Sequence, residues 1–465
     1  MPHQGRKRAD IASQCNADSL KQCVSQLCGA SVFESIQFAE RCTWTPESLS
    51  AASLFWTWSD ETTLVDRFFT ARTITKSILD VPEELSSAYQ PFMRMQGRWS
   101  SALTRALTCH FRNAMLQDLR SRFRQQGWAV FAIDGSRFEV ARTISNELAF
   151  SPKSDNGKRK RRVRKDRLFN RSAEKKSTSP QIWATLMWHV NTGLPWDWRR
   201  GESGSSERQH LLEMIANLPP KSLLTADAGF AGYDVWKAIV DGGHDLLIRV
   251  GGNTKLLKKL GYAKENGNTV YLWTDRAAKR WQPPLILRLI VLKRGKKRIY
   301  FVTSILGRRV LSDQKLLGIA KRRWGVELFF RSWKQTFDKR KLRSHKAEHA
   351  LVELDWALIG LWGVCLLAQL KNRDLPPRKL SVAKVLRAVR RPMRAPASRP
   401  EPGEDLFELL SRARTDDYRR KKPKASRDYP RKKKRDKTGA PILKFATVRQ
   451  RKRAKEVANL IKSAA

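Results

Sequence analysis

The sequence predicts an α/β protein whose sheet is largely buried, with helical and basic segments at its two ends. Three observations carry this expectation. Two short buried strands are expected to end in an acid, the apolar run Trp128–Ile133 before Asp134 and Ser222–Ala226 before Asp227. Segments with helical apolar spacing lie between such runs, at Ser206–Leu218 and through Trp236–Val240. Neither strand alternates polar with apolar residues, as expected of strands covered on both faces by helices.

In chain order, residues 1–127 are expected to be mostly helical. Within 101–126, Leu103, Leu107, Phe111, Met115 and Leu119 recur every four residues, with Arg105, Arg112, Arg120 and Arg122 among them. This is an amphipathic helix with a cationic side, suited either to plain packing with a solvated face or to contacting DNA. The core begins at Trp128, and its first part is assigned to 128–252. Asp-Gly is a favoured turn pair, so the first strand is expected to end at Asp134-Gly135-Ser136, with Phe138–Ala141 as the return strand of a hairpin. Loop follows around Asn156 and Gly157, with Lys158, Arg159, Lys160, Arg161, Arg162, Arg164, Lys165 and Arg167 nearly consecutive. Like charges at this density repel and keep a free segment open. Gln181–Val190 and Leu246–Val250 read as further strands, and Gly193-Leu-Pro-Trp196 as a turn.

Residues 253–303 break the alternation. Val270–Trp273, Leu285–Leu292 and Arg298–Thr303 are strand-like with basic turns between them, which suggests a β-rich insertion. The core resumes over 304–370 with a helix around Ala320–Lys334 and the apolar run Ala357–Leu370. That run is short for a bilayer and reads as a buried helix. Over 371–465, proline and basic residues dominate, including Arg431-Lys-Lys-Lys-Arg435. This region is expected to be partly disordered and to bind nucleic acid without sequence preference, with Glu404–Arg412 as a short helix within it.

The chain has 465 residues, with 92 Lys plus Arg against 44 Asp plus Glu, a formal charge of +48. Such a charge bears on partners rather than on fold, and polyphosphate is the partner that releases counterions on binding. No long basic amphipathic helix with a clean apolar face favours a membrane surface. The six cysteines form no CxxC pair and no zinc-type spacing with histidine, as expected of free thiols in a reducing compartment. Met-Pro-His-Gln-Gly-Arg-Lys-Arg lacks an apolar stretch behind it, so no signal peptide and a soluble intracellular protein are expected.

Three carboxylates are candidate catalytic and metal-binding groups: Asp134, Asp227 and Glu327. Acids at strand ends of an α/β sheet lie where sites form. On a helix, Arg323 and Glu327 are one turn apart and Lys334 returns near the same face two turns later. A carboxylate between two cations suits a metal ligand whose neighbours hold phosphates. The plainer alternative is an exposed ion pair worth a few tenths of a kcal/mol, with each Asp a turn residue. Carboxylates suit Mg²⁺ or Mn²⁺, and two such ions about 4 Å apart can drive phosphodiester displacement. That chemistry needs no triad and no GxxxxGK[ST] loop, and the chain has neither.

Over Trp128–Leu370 the chain resembles the DDE transposases of bacterial insertion sequences, in the insertion-sequence-four branch. The resemblance is carried by Phe131-Ala-Ile-Asp134-Gly-Ser, Gly204-Ser-Ser-Glu207-Arg208, Ala226-Asp227-Ala-Gly-Phe230-Ala-Gly-Tyr233, Leu247-Ile-Arg249-Val250 and Arg322-Arg323-Trp324-Gly-Val-Glu327 to Lys334. The branch signature Tyr-x2-Arg-x3-Glu-x6-Lys is matched by Arg323, Glu327 and Lys334, with Ala320 at the Tyr position. The resemblance implies a ribonuclease H-like core with a β insertion. It implies that Asp134, Asp227 and Glu327 bind two Mg²⁺ or Mn²⁺ ions, and that transposon ends are nicked, freed and joined to target DNA. Arg323 and Lys334 would then hold phosphates near the cleaved end. Trp324 would stack on a flipped base, with Tyr300 or Trp281 as the second aromatic. Arg208 and Arg249 fall in the resembling segments and are taken as DNA-binding. Implied too are a homodimer on two double-stranded ends and a bacterial cytoplasmic, nucleoid-associated location. Two alternatives stand beside this: a structure-directed nuclease of the same fold, and a non-catalytic basic DNA-binding protein.

Overall fold

The computed structural model describes residues 15–82, 84–85, 87–153, 179–294, 297–416 and 439–464. The cationic run 158–167 and the basic stretch 419–437, with Arg431–Arg435, lie outside the described residues. The chain forms two compact units, each assembled from three separate segments.

The first unit comprises Met1–Leu119, Phe138–Gln181 and Arg331–Thr415. Its frame is helical: Asn16–Cys28, Pro46–Trp58, Leu64–Ile78, Tyr89–Gln117 and Ala347–Lys371. The helix expected over 101–126 starts earlier and stops sooner. Pro91 falls in its first turn, where a missing N–H costs nothing. After Gln117 come a single turn, Arg120–Phe123, and a two-residue strand. The apolar run Ala357–Leu370 is the second half of a 25-residue helix, long and apolar enough to cross a membrane. Its most apolar window is 94% buried within the structure, which marks it as a core helix. Gly360 lets Pro46–Trp58 close onto it: a side chain there would run into Thr57, and Trp58 Nε1 donates to the Gly360 carbonyl at 3.0 Å. Lys339 and Glu353 form a fully buried ion pair at 2.9 Å in this unit. Part of the region beyond 371 is folded here: Val382–Arg394 buries Val385, Leu386 and Val389, and Leu406–Ser411 follows, capped by Asp405.

The second unit comprises Arg120–Arg137, Ile182–Phe330 and Asp416–Ala465. It carries the sheet, whose strands are β1 (Arg124–Gln125), β2 (Trp128–Glu139), β3 (Gln181–His189), β4 (Leu194–Gly201), β5 (Ser222–Ala226), β6 (Asp245–Val250), β7 (Lys255–Lys258), β8 (Thr269–Leu272), β9 (Leu285–Arg294), β10 (Lys297–Thr303) and β11 (Ile442–Phe445). Their order is β11-β7-β8-β9-β10-β6-β5-β2-β3-β4, with β1 paired to β2. β2, β5 and β6 are parallel, and β3 and β4 are antiparallel. The strands of 253–303 hydrogen-bond in antiparallel succession onto β6, extending the same sheet.

Three expectations are corrected. β2 does not turn at Asp134-Gly135; it runs straight on to Glu139, so Phe138 continues the strand and no hairpin forms. Gly135 is there for proximity, since a side chain at this position would strike the Glu207 carboxylate and the Trp183 ring. Leu194–Gly201 is a strand, with the turn ending at Gly193 (φ 68°). Pro195 is tolerated because β4 ends the sheet.

Finally, Ala320–Lys334 is not one straight helix. Asp313–Arg322 ends, Gly325–Arg331 begins, and Ser332–Thr336 is a π-helical turn carrying Lys334. A π turn shifts every later residue around the axis, so straight α spacing does not place Lys334. The break is made at Gly325, where a side chain would enter the Trp188 ring. Gly325→Ala should therefore cost about 1–3 kcal/mol by overpacking and displace Glu327. Thermal unfolding checks the first effect, and an unchanged midpoint would show that the break has another cause.

Candidate active site

Asp134 and Asp227 are aligned by the sheet itself. The last paired positions of β2 and β5 are Ala132 and Thr225, and each acid lies two residues beyond. The apolar run Val130–Ile133 is fully buried and fixes the register. Asp134 Oδ1 accepts from the Gly135 N–H at 3.0 Å. Asp227 caps the short turn Ala228–Phe230, its Oδ1 accepting from the Gly229 N–H at 2.8 Å. Arg208 holds that turn from outside, its Nε donating to the Gly229 carbonyl at 2.9 Å. Glu327 lies in the first turn of Gly325–Arg331 and pairs with Arg323 at 3.2 Å.

A fourth carboxylate joins them. Ser206 caps the helix Glu207–Met214 and so sets Glu207 in its first turn, with Oε1 against Gly135. Glu207 stands in a segment noted only for family resemblance. The one local signal beside it is the Ser206 cap, which marks the start of its helix.

These groups act on one another. Burial pushes the Asp134 carboxyl up to about 6; Arg323 and the Gly135 N–H oppose this, while Asp227 and Glu327 add to it. Burial first, then the charges of Asp134 and Asp227, together push Glu207 up to about 7 against Arg137 and Arg208. The structure thus brings Arg323, Asp227 and Glu327 within electrostatic reach of Asp134, and Asp134 and Asp227 within reach of Glu207. Among the described residues, no three His, Cys, Asp or Glu are close enough to share an ion. The donor set still fits a hard divalent cation, because it is all oxygen and its mutual repulsion is what bound positive charge relieves.

The remaining candidates are placed as follows. Trp324 is 52% exposed and free to stack. Arg249 is exposed on β6, opposite Phe301. Tyr300 is on β10 opposite Val250, and Trp281 carries the Arg453 guanidinium over its ring, 3.0 Å from the centroid. Ala320 is on Asp313–Arg322. Lys334 belongs to the first unit, its ammonium 4.9 Å over the Phe138 ring. Burial lowers its pKa, as does Arg340, with Glu139 opposing.

Raised carboxyls make a pH prediction. Folded Asp134 and Glu207 hold protons that the unfolded chain has released, so the stability present below about pH 4 is lost as pH rises through 6 to 7. The shift at Asp134 corresponds to about 3 kcal/mol before solvent screening, which reduces both contributions, that of Glu207 the more. Divalent metal should restore stability at pH 8 and have little effect at pH 5. Thermal unfolding of wild type and Glu207→Gln across this range measures it; equal metal shifts at both pH values would contradict the arrangement.

Asp134 and Asp227 thus stand at the ends of adjacent parallel strands, with Arg323 acting on Asp134 and Arg137 and Arg208 acting on the neighbouring Glu207. Residues 128–362 match the family described as Transposase DDE domain, which is half of the chain, and the chain belongs to that family. It is a DNA transposase, of a family whose members use divalent metal ions to cleave and transfer DNA strands. No curated protein matches the chain. Among solved structures, a piggyBac transposase synaptic complex with hairpin DNA, seen by cryo-EM, is similar at 11% identity and a TM-score of 0.39, covering 92% of this chain and 91% of that chain.

Proposed function

We propose that the chain is a cut-and-paste transposase of the insertion-sequence-four branch, in which Asp134, Asp227 and Glu327 hold two Mg²⁺ or Mn²⁺ ions. The observation that carries this is the register of Asp134 and Asp227 on adjacent parallel strands, with Glu327 and Arg323 in electrostatic reach. The strand order β4-β3-β2-β5-β6, with β2, β5 and β6 parallel, supports a ribonuclease H-like core extended by β7–β10. Bound divalent ions supply activation of the attacking oxygen and charge for the leaving 3′-oxygen. The chain's own residues do the rest. Arg323 orients Glu327 and offers its remaining N–H groups to a phosphate. Arg208 fixes the turn that aims Asp227. Exposed Trp324 offers a face to an extruded base, and Lys334 offers a cation to the terminal phosphates. Two copies would act on two ends, in the bacterial cytoplasm at the nucleoid.

The test uses a duplex carrying the element's own end, with Mg²⁺, Mn²⁺ or EDTA, for wild type, Asp227→Ala and Glu327→Ala. Metal-dependent cutting at the boundary, lost in both variants, is the expected result. Cutting without joining would favour a nuclease. Tight binding with no cutting under any metal would leave only a DNA-binding protein.

A further inference from the structure

The C-terminal segment 439–464 adds β11 to the free edge of β7, in parallel, and follows it with the helix Val448–Ala464. The helix is anchored. Ala454 and Val457 are fully buried, and Arg453 lies over Trp281 with its Nε donating to the Ala278 carbonyl. The anchoring fixes which face is presented outward. Val448, Arg451, Lys452 and Lys455 follow the spacing i, i+3, i+4, i+7 and form one stripe. That stripe and the end of β7 line a cleft of about 580 Å³, to which Lys259 and Glu265 also contribute.

The charges in this cleft are unbalanced. Glu265 is already engaged, accepting from the Gly261 N–H at 2.8 Å and from the Tyr271 hydroxyl at 2.9 Å. Lys259 lies 5.5 Å over the Phe445 ring. Among the described residues, no carboxylate pairs with Arg451, Lys452 or Lys455, and all three are exposed. A structural helix of this charge would carry balancing acids on the same stripe; this one carries none. Its complement is an extended polyanion.

Topology relates the cleft to the acids. β6 runs parallel to β5, and β10, β9, β8 and β7 alternate in direction. β7 therefore has the same polarity in the ladder as β5, and the cleft, beyond the C-terminal end of β7 at Lys259, is at the same end of the strands as Asp227. Five strand spacings of about 4.8 Å separate β5 from β7 and six separate it from β11, or roughly 24 to 29 Å along the sheet. Twist of roughly 20° per strand accumulates to roughly 100° across the five spacings, so this is a distance along the sheet rather than a straight line through space. At 3.4 Å per base pair the separation is roughly seven to nine base pairs of duplex.

We infer that the cleft formed by Lys259, Arg451, Lys452 and Lys455 grips the phosphate backbone of duplex DNA roughly seven to nine base pairs from the cut. The inference rests on the proposed active site, because Asp227 is the origin of the distance. It assigns the C-terminal helix a fixed, sequence-independent hold on DNA.

The test is a salt titration of binding with two duplexes carrying the element's end. One stops about five base pairs either side of the cut and the other extends about thirty. Each phosphate neutralised contributes about 0.9 to the slope of log K against log salt, so R451Q/K452Q/K455Q should lose about two to three units on the long duplex and none on the short one. Lys455→Glu alone should lose about one unit or more on the long duplex. Equal slopes for wild type and the triple variant on the long duplex would overturn the proposal. So would an equal loss on both duplexes, which would mean that the cations act beside the cut or through folding. Failure of the active-site reading shows separately, as absence of metal-dependent cutting of the short duplex by the wild-type chain.

Discussion

Asp134→Asn is expected to reduce strand cleavage by at least about a thousandfold while leaving DNA binding intact. A divalent ion contributes several kcal/mol of charge stabilisation to phosphodiester displacement, and about 4 kcal/mol corresponds to that factor. Asn keeps the shape and the acceptor that the Gly135 N–H uses at 3.0 Å, so the loss would report charge rather than packing. The same change has an opposite effect on the metal-free protein. Asp134 is held among Asp227, Glu327 and a buried wall that together raise its carboxyl to about 6. Replacing it should stabilise the fold at pH 8 by about 1–2 kcal/mol, the signature of a residue kept for function. DNA affinity should be equal or higher, because one negative charge near phosphate is gone. A variant that cleaves within tenfold of wild type, or that is destabilised at pH 8, would remove Asp134 from the site.

What could be read in the sequence follows from what is local. Ser222–Ala226 is a short run with no charged residue and no helix-like spacing, and it is a strand with those same bounds. Gln181–Val190 and Leu246–Val250, short and mostly apolar, are each legible to within a residue. Asp134-Gly135 misleads because the glycine answers to Glu207 and Trp183, which are distant in sequence. Gly325 likewise answers to Trp188, so a helical stripe drawn through Arg323, Glu327 and Lys334 breaks where tertiary packing demands it. β4 is hidden because a proline near a turn argues against a strand everywhere except at an edge. Arg323 and Glu327 were legible as neighbours because one helical turn relates them. The meeting of Asp134 with Asp227 depends on the register of β2 on β5, and no spacing along the chain states a register. Glu207 had a cap beside it and no pattern around it.

Lys339→Met should destabilise the first unit by about 3 kcal/mol, among the largest effects available outside the candidate site. Lys339 Nζ meets Glu353 Oε1 at 2.9 Å, and neither side chain is more than 2% exposed. Glu353 Oε2 is satisfied separately, accepting from the N–H groups of Arg343 and Ser344 and from the Ser344 hydroxyl. Removing the ammonium therefore leaves one carboxylate oxygen buried without its donor, with the more distant Arg67 offsetting part of the charge. The cost should be larger at pH 8 than at pH 5, where protonation of Glu353 relieves it. Replacing both partners, as in Lys339→Met with Glu353→Met, should recover part of the loss, because an apolar pair avoids the desolvation that the ions require. The pair ties the loop after the π turn to the core helix, since the Arg340 N–H donates to the Lys334 carbonyl at 3.1 Å in the same loop. A double variant no better than the single one would mean that Glu353 is held by its backbone donors and that Lys339 is incidental. A clear recovery would mean that the ion pair is kept for the placement of that loop and of Lys334, at a cost in stability.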